Sequence, residues 1–331
     1  MKKIAISTAI AALFGASAAL ADCGDIKMAE FNWPSGELMA HVDKFIMEEG
    51  YGCNIELVVG GTTAIFASMN EKGEPQVAGE EWVNSLRDLL DPALEEGRLH
   101  AVNKAPIMGL GEGWWIPEHT ANAHPEWKTV LDIIEHPEAF PDSEDPSKGA
   151  LVGCPAGWGC QANNAGLFQA FDMEAKGWKL VDPGSAAGLD GSIAKASERG
   201  ENWFGYYWAP TAIVGKYKLK LVPFGVEFAG MDNWTNCIAT GGECDNVQKT
   251  SWVKSEVYTI VTDEFMKNGG EINDYLAKRV FSAEAMGAML VYMTDEQADG
   301  ADAAIEFLLN YEDLWTTWVP ADVAAKVKAA L

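Results

Sequence analysis

The chain has 331 residues, of which 48% are hydrophobic, and this is enough apolar material for two globular domains. Its formal net charge of −25 argues against a partner that is nucleic acid or an anionic membrane surface. The 13 tryptophans exceed what packing alone usually requires, so they point to a binding role.

The first 21 residues have the pattern of a secretory signal peptide. Lys2 and Lys3 give a positive start, residues 4–19 form an apolar run, and Ala19–Ala21 is a small-x-small cleavage site. The run is too short for a membrane span. We therefore expect cleavage after Ala21 and a mature protein in the periplasm.

The cysteines of an exported chain are expected to form disulfides. There are six of them, which predicts three bridges. Their spacing favours local pairs: Cys154 with Cys160, Cys237 with Cys244, and Cys23 with Cys53.

Metal and cofactor motifs are absent from the sequence. No cysteine pair has a histidine at zinc-finger spacing, and the five histidines are scattered. The acidic loop at Asp142, Glu144 and Asp145 lacks a calcium-loop pattern, so we expect it to be solvated. The glycines of residues 109–113 lack the spacing of a nucleotide-binding loop. We expect no metal and no cofactor.

Strand and helix patterns alternate from the start of the mature chain. Residues 26–31 predict a strand, 36–49 an amphipathic helix and 55–59 a buried strand. A strand at 76–78 and a helix at 85–96 continue the series. This alternation is typical of an α/β fold.

A second α/β unit follows the glycine-rich residues 109–113, which we interpret as a hinge between lobes. Its predicted elements are, in order, a helix at 129–135, a strand at 151–152, a helix at 162–171, a strand at 180–181, a helix at 188–199, and strands at 202–208 and 218–223. A strand at 257–261 then leads into helices, the last at 313–331. We expect residues 22–112 and 255–331 to form lobe 1 and 113–254 to form lobe 2, with a ligand cleft between them.

The segment from Cys154 to Cys160 carries the strongest chemical signal. Cysteines six residues apart can close a tight loop around Trp158, which is flanked by two glycines. Such a loop presents an indole face beside bare backbone amides. Aromatic faces attract an organic cation by about 0.5–2 kcal/mol each, and amides bind an anionic group. The loop therefore favours a small methylated cation or zwitterion as ligand.

The mature chain resembles the glycine betaine-binding proteins of osmoprotectant ABC importers over nearly its whole length. The resemblance rests on Gly157–Cys160 with Cys154 before it, on Tyr206–Pro210, and on the segments Met293–Gln297 and Ala304–Leu308. It implies a type II periplasmic binding protein that closes on its ligand and delivers it to an ABC permease in the inner membrane. Related receptors take choline, carnitine, trimethylamine N-oxide or sulfonium osmolytes such as dimethylsulfoniopropionate.

The resemblance also implies which residues contact the ligand. Trp158, Trp208 and Trp82 match walls of the family's aromatic box. The amides of Gly159 and Cys160 match its carboxylate contacts. Where some betaine binders have a histidine one turn after the first-lobe tryptophan, this chain has Leu86, which leaves room for a ligand with a smaller oxygen end.

Three further candidates come from their positions in the sequence. Trp33 follows the first strand, and Trp115 lies at the hinge, where it could complete the cage. Glu112 could accept a ligand hydroxyl, balance a cation or form a hydrogen bond with an N-oxide.

We therefore expect a monomeric binding protein for a methylated amine, not an enzyme. A secreted hydrolase that uses cleft carboxylates is the alternative from another class, although no carboxylate pair stands out by spacing. An amino-acid receptor would usually require an Arg–Asp pair at the cleft, and a sugar receptor more polar side chains among its rings.

Overall fold

The structure is a computed structural model that describes residues 23–331. The expected signal peptide, residues 1–21, lies outside the described residues. The ten strands of the described part are β1 (Asp25–Phe31), β2 (Asn54–Gly60), β3 (Val77–Trp82), β4 (Leu99–Asn103), β5 (Gly111–Pro117), β6 (Gly149–Val152), β7 (Trp178–Val181), β8 (Gly205–Ala209), β9 (Leu219–Leu221) and β10 (Val257–Thr262).

These strands form two five-stranded sheets, one in each lobe. The first has the order β2-β1-β3-β10-β4, in which β1 is parallel to β2 and β3, while β10 is antiparallel to β3 and β4. The second has the order β7-β6-β8-β5-β9, in which β6 is parallel to β7 and β8, while β5 is antiparallel to β8 and β9. Each lobe is thus a mainly parallel sheet completed by a strand that follows a crossover.

Helices cover the sheets, as parallel strands require. They are α1 (Pro34–Phe45), α2 (Thr62–Lys72), α3 (Arg87–Glu95), α4 (Glu118–Ala123), α5 (Val130–Ile133), α6 (Cys160–Ala170), α7 (Ala186–Arg199), α8 (Ala212–Lys216), α9 (Met231–Asn233), α10 (Asp263–Asn268), α11 (Glu271–Lys278), α12 (Ala283–Glu296), α13 (Gly300–Asn310), α14 (Glu312–Trp315) and α15 (Ala321–Ala330). No helix among residues 23–331 has the length and apolar character needed to cross a bilayer.

The chain passes between the lobes twice, and the two crossovers lie side by side. It leaves the first sheet after β4 and returns to it at β10. The amide of Glu112 donates a hydrogen bond to Ser255 Oγ across the crossovers, at 3.1 Å. Because β5 begins at Gly111 and pairs Glu112 with Trp208, residues 111–113 belong to the second sheet and not to a hinge.

Two other expectations from the sequence differ from the structure. The predicted helix at 313–331 is two helices, α14 and α15, because Pro320 lacks an amide hydrogen and can only begin a helix. The acidic loop is not fully solvated, since Asp142 is buried and accepts hydrogen bonds from the amide of Asp145 and from Lys179.

Disulfides join Cys23 to Cys53, Cys154 to Cys160, and Cys237 to Cys244, which are the pairs that the spacing favours. The first ties the start of β1 to the start of β2, and the second closes the loop between β6 and α6.

Candidate ligand-binding site

A small cavity lies between the two sheets. The residues that line it are Trp33, Thr62, Trp82, Asn84, Ser85, Glu112, Trp158, Gly159, Cys160, Asn163, Tyr206 and Trp208. Both lobes contribute, so the cavity exists only when the lobes are together.

The strand ends place the aromatic residues at the cavity. Trp33 follows β1, Trp82 ends β3, and Trp208 is the second-last residue of β8, while Trp158 lies in the loop after β6. Strands β1, β3, β6 and β8 run parallel within their sheets, so their carboxyl ends meet at one edge. Open α/β sheets bind ligands at this edge.

The indole of Trp158 stands steeply against two other indoles of the cavity. The ring of Trp158 is 5.2 Å from that of Trp33 at an angle of 73°, and 5.2 Å from that of Trp208 at 82°. Tyr206 stacks beside Trp208, with ring centroids 6.3 Å apart. A cation placed against such walls meets several electron-rich ring faces at once.

One buried carboxylate fixes the two tryptophans of lobe 1. Glu80 Oε1 accepts hydrogen bonds from Trp33 Nε1 at 2.9 Å, from Trp82 Nε1 at 3.0 Å and from Ser35 Oγ at 2.8 Å. Burial raises the pKa of Glu80, and these three hydrogen bonds oppose the rise. Glu80 does not line the cavity, so its role is to orient the rings that do.

Direct contacts between the lobes close the cavity. Trp158 Nε1 donates to Asn32 Oδ1 at 2.8 Å, and the amide of Thr63 donates to the carbonyl of Gly157 at 3.3 Å. A Cβ added to Gly159 would lie 1.8 Å from Ser85 Oγ. The second lobe therefore approaches the first as closely as backbone allows at this point.

The start of α6 supplies free hydrogen-bond donors. Over residues 23–331, no hydrogen bond is made by the amides of Gly159 and Cys160, and both residues line the cavity. The Oδ1 atom of Asn163, one turn further on, is buried and has no hydrogen-bond partner in the described part of the chain. Free amides at a helix N-terminus favour an anionic or strongly polar oxygen.

Glu112 is the one acidic side chain among the cavity residues. It is 8% exposed, and its Oε1 accepts a hydrogen bond from the Tyr206 hydroxyl at 2.9 Å. Burial raises the pKa of Glu112 to about 7, against the opposing effect of the Tyr206 hydrogen bond. Near neutral pH, this carboxyl group can therefore either donate or accept a hydrogen bond.

The cavity brings together seven of the eight residues predicted as ligand contacts: Trp33, Trp82, Glu112, Trp158, Gly159, Cys160 and Trp208. The eighth, Trp115, does not line the cavity. Its Nε1 donates to the carbonyl of Tyr207 at 2.8 Å, and its ring is buried outside the cavity. Successive residues of β5 face opposite sides of the sheet. Trp115, three residues after Glu112, therefore lies on the side away from Glu112.

Five cavity residues were not predicted from the sequence: Thr62, Asn84, Ser85, Asn163 and Tyr206. Tyr206 could have been found, because it lies two residues before Trp208 on one strand and therefore faces the same side. Leu86, which the resemblance placed where some betaine binders have a histidine, is buried in the core and does not line the cavity.

These features define a two-lobed solute-binding protein with an aromatic cage between its lobes. The family model for the substrate-binding domain of ABC-type glycine betaine transport systems matches residues 24–310. The chain belongs to this family of extracytoplasmic receptors, which serve ABC transporters and are not enzymes. The expected family membership is confirmed.

A curated relative is the trimethylamine N-oxide-binding protein of Pelagibacter ubique (strain HTCC1062). It is 24% identical over 330 residues, which cover 96% of this chain and 99% of the relative.

Solved structures share the fold. An ABC-transporter choline-binding protein in complex with choline has a TM-score of 0.71 at 19% identity and covers 93% of this chain and 98% of its own. A glycine betaine/L-proline-binding protein from Borrelia burgdorferi has a TM-score of 0.71 at 16% identity, with coverage of 92% and 99%. A lactococcal protein in its closed, glycine betaine-bound conformation has a TM-score of 0.67 at 16% identity, with coverage of 90% and 100%. The predicted two-lobed α/β fold is confirmed.

Proposed function

We propose that this chain captures a small trimethylated amine in the periplasm and presents it to an ABC permease of the inner membrane. Trimethylamine N-oxide and glycine betaine are the foremost candidates. The observation that carries the proposal is the cavity itself, in which the rings of Trp33, Trp82, Trp158 and Trp208 surround one space.

The methylated head belongs among the indoles. Water leaves this space when the lobes close, and cation–π attraction strengthens from about 0.5–1 kcal/mol at an exposed ring to about 2 kcal/mol at a desolvated one. Four walls then compensate the lost hydration of a charge that cannot donate hydrogen bonds.

The oxygen end belongs at the polar side of the cavity. The free amides of Gly159 and Cys160 suit a carboxylate or an N-oxide. The pKa of Glu112 is raised to about 7, so its carboxyl group can donate a hydrogen bond to a compact oxygen or accept a hydrogen bond from a hydroxyl. The relative that binds trimethylamine N-oxide supports the N-oxide in particular.

Isothermal titration calorimetry tests the assignment with trimethylamine N-oxide, glycine betaine, choline, carnitine and dimethylsulfoniopropionate. We expect a single saturable site and unchanged solute after release. Trp158→Ala and Trp208→Ala should each lower affinity by about tenfold or more, which corresponds to about 1–2 kcal/mol.

Trp127→Ala is the matched control, because its ring stacks between His124 and His136 outside the cavity. It should bind as the wild type does. Full affinity in both Trp158→Ala and Trp208→Ala would refute the cage, and turnover of any solute would favour the secreted hydrolase.

N-terminal sequencing of exported protein tests the proposed cleavage after Ala21, and light scattering tests whether the protein is a monomer.

A further inference from the structure

Lobe 1 carries a second group of side chains that the osmolyte site does not use. Glu30 lies on β1, and Glu37 and His41 lie four residues apart on α1, so the two helix residues share one face. One ligand atom from each of the three lies within 4.8 Å of the others, and all three side chains are half-buried. None of them lines the cavity.

Packing holds this group in place. The amide of Gly300, at the start of α13, donates to Glu37 Oε1 at 2.7 Å. A Cβ at Gly300 would lie 2.5 Å from His41 Cδ2 and 2.6 Å from Glu37 Cγ, so the helix end rests directly on both side chains. A metal ligand that is oriented by an outer hydrogen bond needs little rearrangement to bind.

The local charge is unbalanced. Burial raises the pKa of Glu30, His41 opposes this rise, and the neighbouring carboxylates of Glu37 and Asp299 add to it. Among residues 23–331, the one basic side chain that contacts any of these carboxylates is His41, whose Nε2 is 3.7 Å from Glu30 Oε2. That distance is long for a hydrogen bond but close to the roughly 3.4 Å that separates two ligands of one tetrahedral ion.

We propose that Glu30, Glu37 and His41 bind a first-row divalent transition-metal ion, with Zn²⁺ as the probe. One imidazole nitrogen and two carboxylate oxygens make a three-residue zinc donor set that leaves a position for water. The histidine favours such an ion over Mg²⁺ or Ca²⁺, which prefer oxygen ligands. The bound ion would tie β1 and α1 together and stabilise lobe 1. No sequence motif marks this group, because two of its residues lie on a helix and the third on a strand.

Calorimetric titration of the EDTA-treated mature chain with Zn²⁺ in excess Mg²⁺ tests the proposal. Mg²⁺ occupies weak acidic surface sites and does not compete for the imidazole. We expect one Zn²⁺ per chain and a higher unfolding temperature when Zn²⁺ is present, since an ion that binds only the folded state stabilises it. His41→Ala and Glu37→Gln should each weaken Zn²⁺ binding at least tenfold.

The variants separate binding from folding. Glu37→Gln retains an amide oxygen for the Gly300 hydrogen bond, so its unfolding temperature in EDTA should match that of the wild type. His100→Ala is the control, because His100 contacts a single carboxylate, that of Asp263. The proposal is wrong if the wild type takes up no stoichiometric Zn²⁺, if His41→Ala binds it normally, or if His100→Ala abolishes binding.

Discussion

A single carboxylate oxygen organises the lobe 1 half of the cage. Trp33 and Trp82 both donate their indole N–H groups to Glu80 Oε1, so neither ring can turn without breaking a buried hydrogen bond. A buried donor left without a partner costs about 1–3 kcal/mol. The ring positions are therefore fixed before any ligand arrives.

Replacement of Glu80 should lower osmolyte affinity because it releases the rings of Trp33 and Trp82 from their shared acceptor. Glu80→Leu leaves the two indoles and the Ser35 hydroxyl without their acceptor, and we expect it to destabilise the fold by about 3 kcal/mol or more and to lower osmolyte affinity. Glu80→Gln keeps an acceptor oxygen and should retain more of both. Urea unfolding and calorimetry measure the two effects. Equal osmolyte affinity in Glu80→Leu and the wild type would show that the rings need no such support.

The start of α6 is a point of close contact between the lobes. Gly159 precedes the helix, and its missing side chain leaves room for Ser85 of the other lobe. The same short stretch carries the two free amides of the cavity. Close approach and oxygen recognition therefore depend on one helix end.

Gly159→Ala should impair closure more than folding. The added methyl group would lie 1.8 Å from Ser85 Oγ and 2.8 Å from Ser85 Cβ, so the lobes must stay further apart. We expect osmolyte affinity to fall at least tenfold and the double variant Gly159→Ala/Ser85→Gly to recover part of it. Calorimetry checks both.

Gly191→Ala is the matched control, because a Cβ there meets nothing within 4 Å. It should bind normally. If Ser85→Gly fails to improve the binding of Gly159→Ala, the steric explanation is wrong.

The elements themselves were largely predictable from hydrophobic patterning. Alternation of strands and helices gave the α/β class and most boundaries within a few residues. Strand β4 was missed, because its five residues are short of β-branched side chains and its pairing with β10 comes from a distant part of the chain. Strand β3 extends to Trp82, beyond the predicted 76–78, because β10 pairs with its later residues Glu81 and Trp82.

At the scale of the molecule, buried acids should make stability depend on pH. The pKa of Glu112 is raised to about 7 from 4.5. The unfolded chain releases this proton as the pH rises above about 4.5, whereas the folded chain keeps it until about 7, so the free energy of unfolding falls through this window. Below about pH 4.5, Glu112 is protonated in both the folded and the unfolded chain, so its raised pKa does not lower the free energy of unfolding there.

Glu112→Gln should remove this dependence. We compare the unfolding free energy of this variant with that of the wild type. The difference in favour of the variant should grow by up to about 3 kcal/mol between pH 4.5 and pH 7. Urea unfolding without ligand, at several pH values, measures the difference. Glu118→Gln is the control, because the pKa of this exposed glutamate is lowered by Lys220, so its effect lies below the window. A constant difference between Glu112→Gln and the wild type would contradict the raised pKa.

The cage residues were predictable where their position at a strand end determines that the side chain faces the cleft, and not elsewhere. Trp33, Trp82 and Trp208 follow or end strands, which places them at the cleft edge. Trp115 lies outside the cavity because strand parity, not proximity to a crossover, decides which side chains face the cleft. The polar lining, such as Asn84 and Ser85, depends on contact between the lobes, and no local pattern encodes it.

The place of Glu112 beside the paired crossovers has a consequence for the order of capture. When two rigid bodies separate about a pivot, groups near the axis travel least and distant ones most. Glu112, whose amide is bound to Ser255 near that axis, would stay beside Trp208 of its own sheet while the lobe 1 rings of Trp33 and Trp82 swing away. We therefore expect an arriving solute to bind Glu112 through its oxygen first. The rings then enclose its methyl groups when the lobes close.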